Sequence, residues 1–333
     1  MNIIKSVILT PVKNIMKTAL SLFMPQREIG YVKYRTPKLE GVCNILFDHY
    51  APKDCKLNVY RTLTTTAIRP VFFYVSLLEK SHQHAMRNGI SRYVAKLDYV
   101  VVSITCSGNI HSSIQQCVSA LAWAEKNKNR FGLDLTKVVF GGDSTGAFIA
   151  LCTATLVLNK SFADFLSLKQ PNIGILAETY FSGIYSPINT TKNQKQKTPI
   201  KNSTNLALFN KLKISLSNPI KLLHEHKTRI NRALANAEEL CPLNYFDASH
   251  PAFFIAHSDF DSKACGQSTQ IMHKILEFGL PYNEFRAIKS ECPHNWQLDI
   301  SNSSGQSCIN AFSDFLTALR KDQKSIIKKY FEI

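Results

Sequence analysis

The stretch Gly142-Asp143-Ser144-Thr145-Gly146 constrains this chain more than any other. Before it runs Lys137-Val138-Val139-Phe140-Gly141, a β-branched and aromatic run expected to form a buried strand. After it runs an apolar segment from Ala147 to Leu156, expected to form a buried helix. Joining strand to helix through so few residues needs a sharp turn with a strained backbone at its centre. Side chains at Gly142 and Gly146 would collide with the adjoining strand and helix. A serine presented on such a turn is a candidate nucleophile. A glycine-rich turn with a solvated serine is the plainer alternative, and the strand–helix context favours the first reading.

The rest of the chain repeats that alternation. Strands are expected at Leu57–Tyr60, Pro70–Val75, Tyr99–Ile104, Ile173–Ala177, Ala252–Ala256 and Asn283–Ile288, with a further strand-like run at Tyr31–Tyr34. Helices are expected to end near Tyr93–Leu97 and Trp123–Ala124, and to run over Gln267–Phe278 and Gln306–Leu319. Strands alternating with helices predict an α/β fold with a mostly parallel sheet covered on both faces. With 333 residues, 45% of them hydrophobic, the chain is long enough for one large domain. We divide it into an amphipathic leader helix over 1–29 and a domain over 30–333 that carries an insertion at about 184–240.

A serine hydroxyl needs a base to take its proton and a carboxylate to hold that base in the right tautomer. Candidates follow two late strands: His257-Ser258-Asp259-Phe260-Asp261 after the first, and Glu291-Cys292-Pro293-His294 after the second. The order Ser144, Asp261, His294 is the chain order of serine hydrolases built on a strand–turn–helix elbow. Asp259 is the alternative acid, and His257 the alternative base, although it precedes Asp261.

From Leu57 to Leu319 the sequence resembles the hormone-sensitive-lipase-like and carboxylesterase-like branch of the α/β-hydrolase superfamily. The resemblance rests on Gly142-Asp143-Ser144-Thr145-Gly146-Ala147, Leu121-Ala122-Trp123, Leu133-Asp134 through Val139, Phe181-Ser182-Gly183-Ile184-Tyr185, Cys241-Pro242-Leu243-Asn244-Tyr245 and His257 to Asp261. It implies an α/β-hydrolase fold with Ser144 as nucleophile, His294 as base and Asp261 as its orienting acid. It also implies cleavage of a carboxylic ester through an acyl-enzyme, with no metal or organic cofactor, and a cap or lid in the 184–240 insertion. Apolar residues there, among them Leu206, Phe209 and Leu222, suit a hydrophobic lid over an ester or lipid substrate.

One motif departs from that pattern. Where the branch carries H-G-G-G, whose amides hold the oxyanion, this chain has Ser76-Leu77-Leu78-Glu79. The Thr145 amide is retained as one donor, and Leu77 or Leu78 is the candidate for a second. Loss of one such donor costs about 3–4 kcal/mol. A weakly active or inactive binding protein on the same fold is therefore the alternative function.

Charge bears on partners. The net charge is +16, and ten Lys/Arg against one acidic residue, Glu225, fall between Thr191 and Arg232. That run reads as a solvated insertion or as a patch for an anionic membrane surface. It carries no zinc-finger or RRM-type signature, which argues against nucleic acid. The leader places Ile4, Ile8, Val12, Ile15, Ala19 and Phe23 roughly on one face, with Lys5, Lys13 and Lys17 interrupting the apolar run. It is too interrupted to span a bilayer, so it packs on the domain or lies on a membrane surface. Nine cysteines, odd in number and without a C-x-x-C pair, suit a reducing compartment and a cytoplasmic location, peripheral to a membrane if the leader binds one. The sequence carries no signal for oligomeric state.

Overall fold

The computed structural model describes residues 39–45, 47, 56–63, 67–77, 82–186, 239–261, 264, 266–288, 292–299, 301–321 and 329–332. The expected leader helix, the 31–34 run, Leu78, Glu79 and residues 187–238 of the insertion lie outside the described residues. All described elements belong to the unit Thr36–Ile333.

In chain order they are β1 (Leu39–Ile45), β2 (Lys56–Thr62), β3 (Arg69–Leu77), α1 (His82–Lys96), β4 (Val100–Cys106), α2 (Ile110–Phe131), β5 (Leu133–Asp143), α3 (Thr145–Leu158), α4 (Lys160–Leu166), β6 (Ile175–Phe181), β7 (Ala252–Ser258), α5 (Gln267–Glu277), β8 (Tyr282–Ala287), α6 (Ser303–Arg320) and β9 (Lys329–Glu332). Short 3₁₀ turns cover Pro242–Tyr245 and Trp296–Leu298. The strands form one sheet in the order β1-β2-β4-β3-β5-β6-β7-β8-β9. β2 pairs antiparallel with both β1 and β4, and every other pairing is parallel.

Central parallel strands are buried on both faces, so they read as continuous apolar runs rather than alternations. β3 shows what this does. Val71, Phe73 and Val75 face a core shared with Ile114 and Leu121 of α2, Ile149 and Leu151 of α3, and Ile271 and Ile275 of α5. Phe72 and Tyr74, half a period away, face Ile90 and Val94 of α1 and Phe312 and Phe315 of α6. Two helix layers thus clamp the sheet, and the carboxyl ends of β3, β5, β7 and β8 converge on one edge. This is the expected mostly parallel α/β architecture.

Two expected boundaries are corrected. The helix expected to stop near Trp123–Ala124 continues to Phe131. Its last turns are polar outward, but Phe131 packs its ring 5.5 Å from that of Trp123. Gly132, at φ 69°, then ends the helix with its amide on the Lys128 carbonyl. The strand expected from Ile173 begins at Ile175 and runs to Phe181. Gly174 exchanges irregular bonds with Leu135 and Val138, so Ile173 and Gly174 lie before regular pairing. β1, α4 and β9 are additional to the expected elements.

The described residues that flank the expected insertion are held in the core. Gln267 Oε1 accepts the amides of Tyr185 and Ser186, each at 2.9 Å, while Leu240, Cys241 and Leu243 are buried in the core.

Candidate active site

Ser144 sits at the junction of β5 and α3 with φ 54° and ψ −123°. A left-handed φ on a residue with a side chain is strained by roughly 1–3 kcal/mol and persists only where its surroundings enforce it. Here they do. The Ser144 amide donates to the Phe181 carbonyl at 3.0 Å, and the Ser144 carbonyl accepts from the Ile184 amide at 3.1 Å. The glycines act as expected from the sequence. A Cβ on Gly146 would lie 2.4 Å from the Val75 carbonyl oxygen of β3, and one on Gly142 would lie 2.7 Å from the backbone of Gly146. Only glycine lets α3 start this close to the sheet.

The other two candidates arrive from loops after β7 and β8. Ser144 Oγ lies 2.8 Å from His294 Nε2. On the other side of the ring, His294 Nδ1 lies 2.9 and 2.8 Å from the two Asp261 carboxylate oxygens. Asp261 is 1% exposed, and its Oδ1 also accepts the Ala264 amide at 3.0 Å, which fixes the carboxylate's rotation. The structure thus brings Ser144, His294 and Asp261 into one hydrogen-bonded line.

The alternatives are engaged elsewhere. Asp259 forms a two-point ion pair with Arg286, 2.9 and 2.8 Å, and that hydrogen bonding holds its carboxyl below the usual range. His257 bonds Glu284 at 2.7 Å. Cys292, two residues before His294, is a buried thiol.

Of the candidate oxyanion donors, Thr145 opens α3, where a first-turn amide has no intrahelical acceptor and the helix end favours negative charge. Ser76 is buried, and its hydroxyl donates to the Ile104 carbonyl at 3.3 Å. Leu77 ends β3 half-buried. Leu78 and Glu79 are outside the described residues, as are Ser290 and Glu291 before Cys292.

A polar network that the sequence reading did not identify lies directly beneath these groups. Asp143 is fully buried and accepts from Arg87 of α1 through Nε at 3.0 and 3.1 Å and through Nη2 at 2.6 Å. Tyr74 donates its hydroxyl to the same carboxylate at 2.8 Å. Burial, and then the Asp143 charge, push the Tyr74 phenol well above its ordinary range, so it stays a donor. Asn295, next to His294 and at φ 62°, adds an Nδ2 contact to Asp143 at 3.3 Å. Its amide bonds Ser182 Oγ at 3.2 Å, and Gln297 Nε2 in turn bonds Ser182 Oγ at 2.9 Å and the Ala256 carbonyl at 3.1 Å. The one sign of it in the sequence is Asp143 itself, a carboxylate between a buried strand and a buried helix, which needs a buried counter-charge.

Among the described residues no cluster of three or more His, Cys, Asp or Glu is placed to hold a metal ion. Nor is any single described helix long and apolar enough to cross a membrane.

The fold recurs in solved esterases. Esterase B from Lactobacillus rhamnosis HN001 superimposes with a TM-score of 0.67 at 14% identity, covering 97% of this chain and 98% of its own. The same enzyme's structure with a C4-C4 tributyrin phosphonate matches with a TM-score of 0.65 at 16% identity, covering 96% and 97%. Esterase LipW from Mycobacterium marinum matches at 0.59 and 15%, covering 85% and 82%. At such identities the likeness is one of fold. None of the curated proteins matches the chain in sequence. A family model, BD-FAE, matches residues 76–276, more than half of the chain and the whole span from the end of β3 to α5. An elbow serine, an ordered acid and histidine, an α/β-hydrolase sheet and this match agree, and the chain belongs to the BD-FAE family of α/β-hydrolase-type domains.

Proposed function

We propose that this protein is a serine hydrolase that cleaves a carboxylic ester through an acyl-enzyme. The observation that carries the reading is the line Ser144 Oγ, His294 Nε2, His294 Nδ1, Asp261, with spacings of 2.8 to 2.9 Å. The esterase names of the structural neighbours support the substrate class. Ser144 attacks the ester carbonyl while His294 Nε2 takes its proton. Asp261 keeps the other proton on Nδ1 and stabilises the imidazolium that forms. His294 then protonates the departing alcohol, and in the second half-reaction it activates water against the acyl-Ser144 ester. The developing oxyanion faces the Thr145 amide at the start of α3, with Leu77 or Leu78 as the proposed second donor. No metal or organic cofactor takes part in these steps.

The glycine-free Ser76–Glu79 stretch favours a second reading, a slow or inactive hydrolase-fold binding protein. A fluorophosphonate probe separates the two. The first reading expects covalent labelling of wild type that is absent in Ser144→Ala, and folded protein that stays unlabelled contradicts it. The leader over 1–29 and the basic run over 191–232 are proposed to place this activity against an anionic membrane surface of the cytoplasm.

A further inference from the structure

We propose that Arg87 is a positioning residue for the Ser144 site, holding together the three chain segments that must meet there. This rests on the hydrolase reading for its catalytic consequence, but the geometry stands independently. Arg87 projects from α1, and its side chain is almost fully buried. Nε and Nη2 grip Asp143, the residue covalently joined to Ser144, in a fork whose shortest leg is 2.6 Å. Nη1 donates to the Leu77 carbonyl at 3.3 Å, the last backbone oxygen described in β3. Through Asp143 Oδ2 the same ion pair meets Asn295, the residue after His294.

Each link reaches a different catalytic part. Asp143 sets the strained turn that aims Ser144 Oγ. The Leu77 carbonyl is at the end of β3, so tethering it holds that strand end against the Arg87–Asp143 pair. Asn295 has a left-handed backbone, and its contacts to Asp143 and Ser182 hold the His294 loop against the elbow.

The chemistry requires arginine in particular. A fully buried carboxylate needs a counter-charge. Only a guanidinium satisfies that carboxylate in two-point fashion while a further N–H reaches a carbonyl on another strand. Lysine retains the charge and loses the fork.

The test uses the full chain with Arg87→Lys and Arg87→Ala. Three quantities are read: thermal unfolding, fluorophosphonate inactivation resolved into kinact and KI, and the low-field proton resonance of the His294 Nδ1–Asp261 bond. Arg87→Lys is expected to unfold within a few degrees of wild type, keep KI, and lose about 100-fold in kinact, the scale of an ångström-sized misplacement. Its low-field resonance is expected to shift or broaden. Ethylguanidinium is expected to restore part of kinact to Arg87→Ala if that variant folds, and Arg87→Lys decides the matter if it does not. A wild-type kinact with an unchanged low-field resonance in Arg87→Lys would overturn the proposal. If wild type itself fails to react, the hydrolase reading falls, and the resonance alone decides whether Arg87 positions His294.

Discussion

Asp261→Asn is the most informative single change at this site, because the structure dictates how the new amide must orient. Asp261 Oδ1 accepts the Ala264 amide at 3.0 Å and lies beside His294 Nδ1, as does Oδ2. An asparagine keeps its oxygen on the Ala264 N–H, since turning it would set two donors against each other in a site 1% exposed. Its NH₂ therefore faces His294 Nδ1. With that donor at the shorter, 2.8 Å contact and the remaining oxygen shared with the Ala264 amide, the ring is driven to accept at Nδ1 and carry its proton on Nε2, where it points at Ser144 Oγ. A histidine protonated at Nε2 cannot take the serine proton. The expected loss is about 10⁴-fold in kcat, the scale seen when a triad histidine is held in the wrong tautomer. At about 1.4 kcal/mol per factor of ten, this corresponds to roughly 5.5 kcal/mol of transition-state stabilisation. Steady-state hydrolysis of a p-nitrophenyl acyl ester measures it, with KM expected to change little because Asp261 is buried behind His294. Asp259→Asn serves as the matched control and is expected to retain activity, since Asp259 is bound to Arg286 instead. Wild-type kcat in Asp261→Asn, or a collapse confined to Asp259→Asn, refutes the reasoning.

Other outcomes follow from the same structure. Gly146→Ala drives a Cβ to 2.4 Å from the Val75 carbonyl oxygen and is expected to destabilise by about 1–3 kcal/mol in urea unfolding, with reduced activity. His250→Leu removes the 2.7 Å partner of the fully buried Glu178, leaving that carboxylate the Tyr180 hydroxyl among the described residues, and is expected to cost about 3–5 kcal/mol, read as a fall in Tm. The Asp259–Arg286 pair is partly exposed and screened, so Asp259→Asn is expected to cost at most about 1 kcal/mol at pH 7. Arg286 lowers the Asp259 pKa, so that contribution is present at neutral pH and disappears as pH falls through the lowered value; the difference from wild type should vanish in acid unfolding. For the leader, flotation with anionic liposomes compares the full chain with a chain starting at Gln26. Attachment through the leader expects only the full chain to float, and equal flotation removes that role.

How much was legible in the sequence depends on how local each signal is. Gly142 and Gly146 could be read directly, because both clashes they avoid lie within a few residues or against the neighbouring strand. Asp261 and His294 could be placed by strand order, because Asp261 follows the continuous apolar run Ala252–Ala256 and His294 follows an alternating strand whose inward residues include Phe285 and Ala287. The choice of Asp261 over Asp259 became geometric once Arg286 was seen to occupy Asp259. The end of α2 was misread because apolar periodicity fades after Ala124, while the helix is held to Phe131 by a ring contact and a glycine cap. Arg87 gave no local sign at all. It is one of forty Lys/Arg, on a helix whose last turn is also basic, and its role comes from meeting Asp143 across 56 residues.

The central claim is that Ser144 is a nucleophile activated by His294. Its most direct measurement is a fluorophosphonate reaction of the full chain followed by intact-mass and peptide mapping. The account predicts one adduct, on Ser144, formed in wild type, slowed by about 10⁴-fold or more in His294→Ala, and absent in Ser144→Ala. Folded wild-type protein without an adduct, or an adduct that persists in Ser144→Ala, contradicts it.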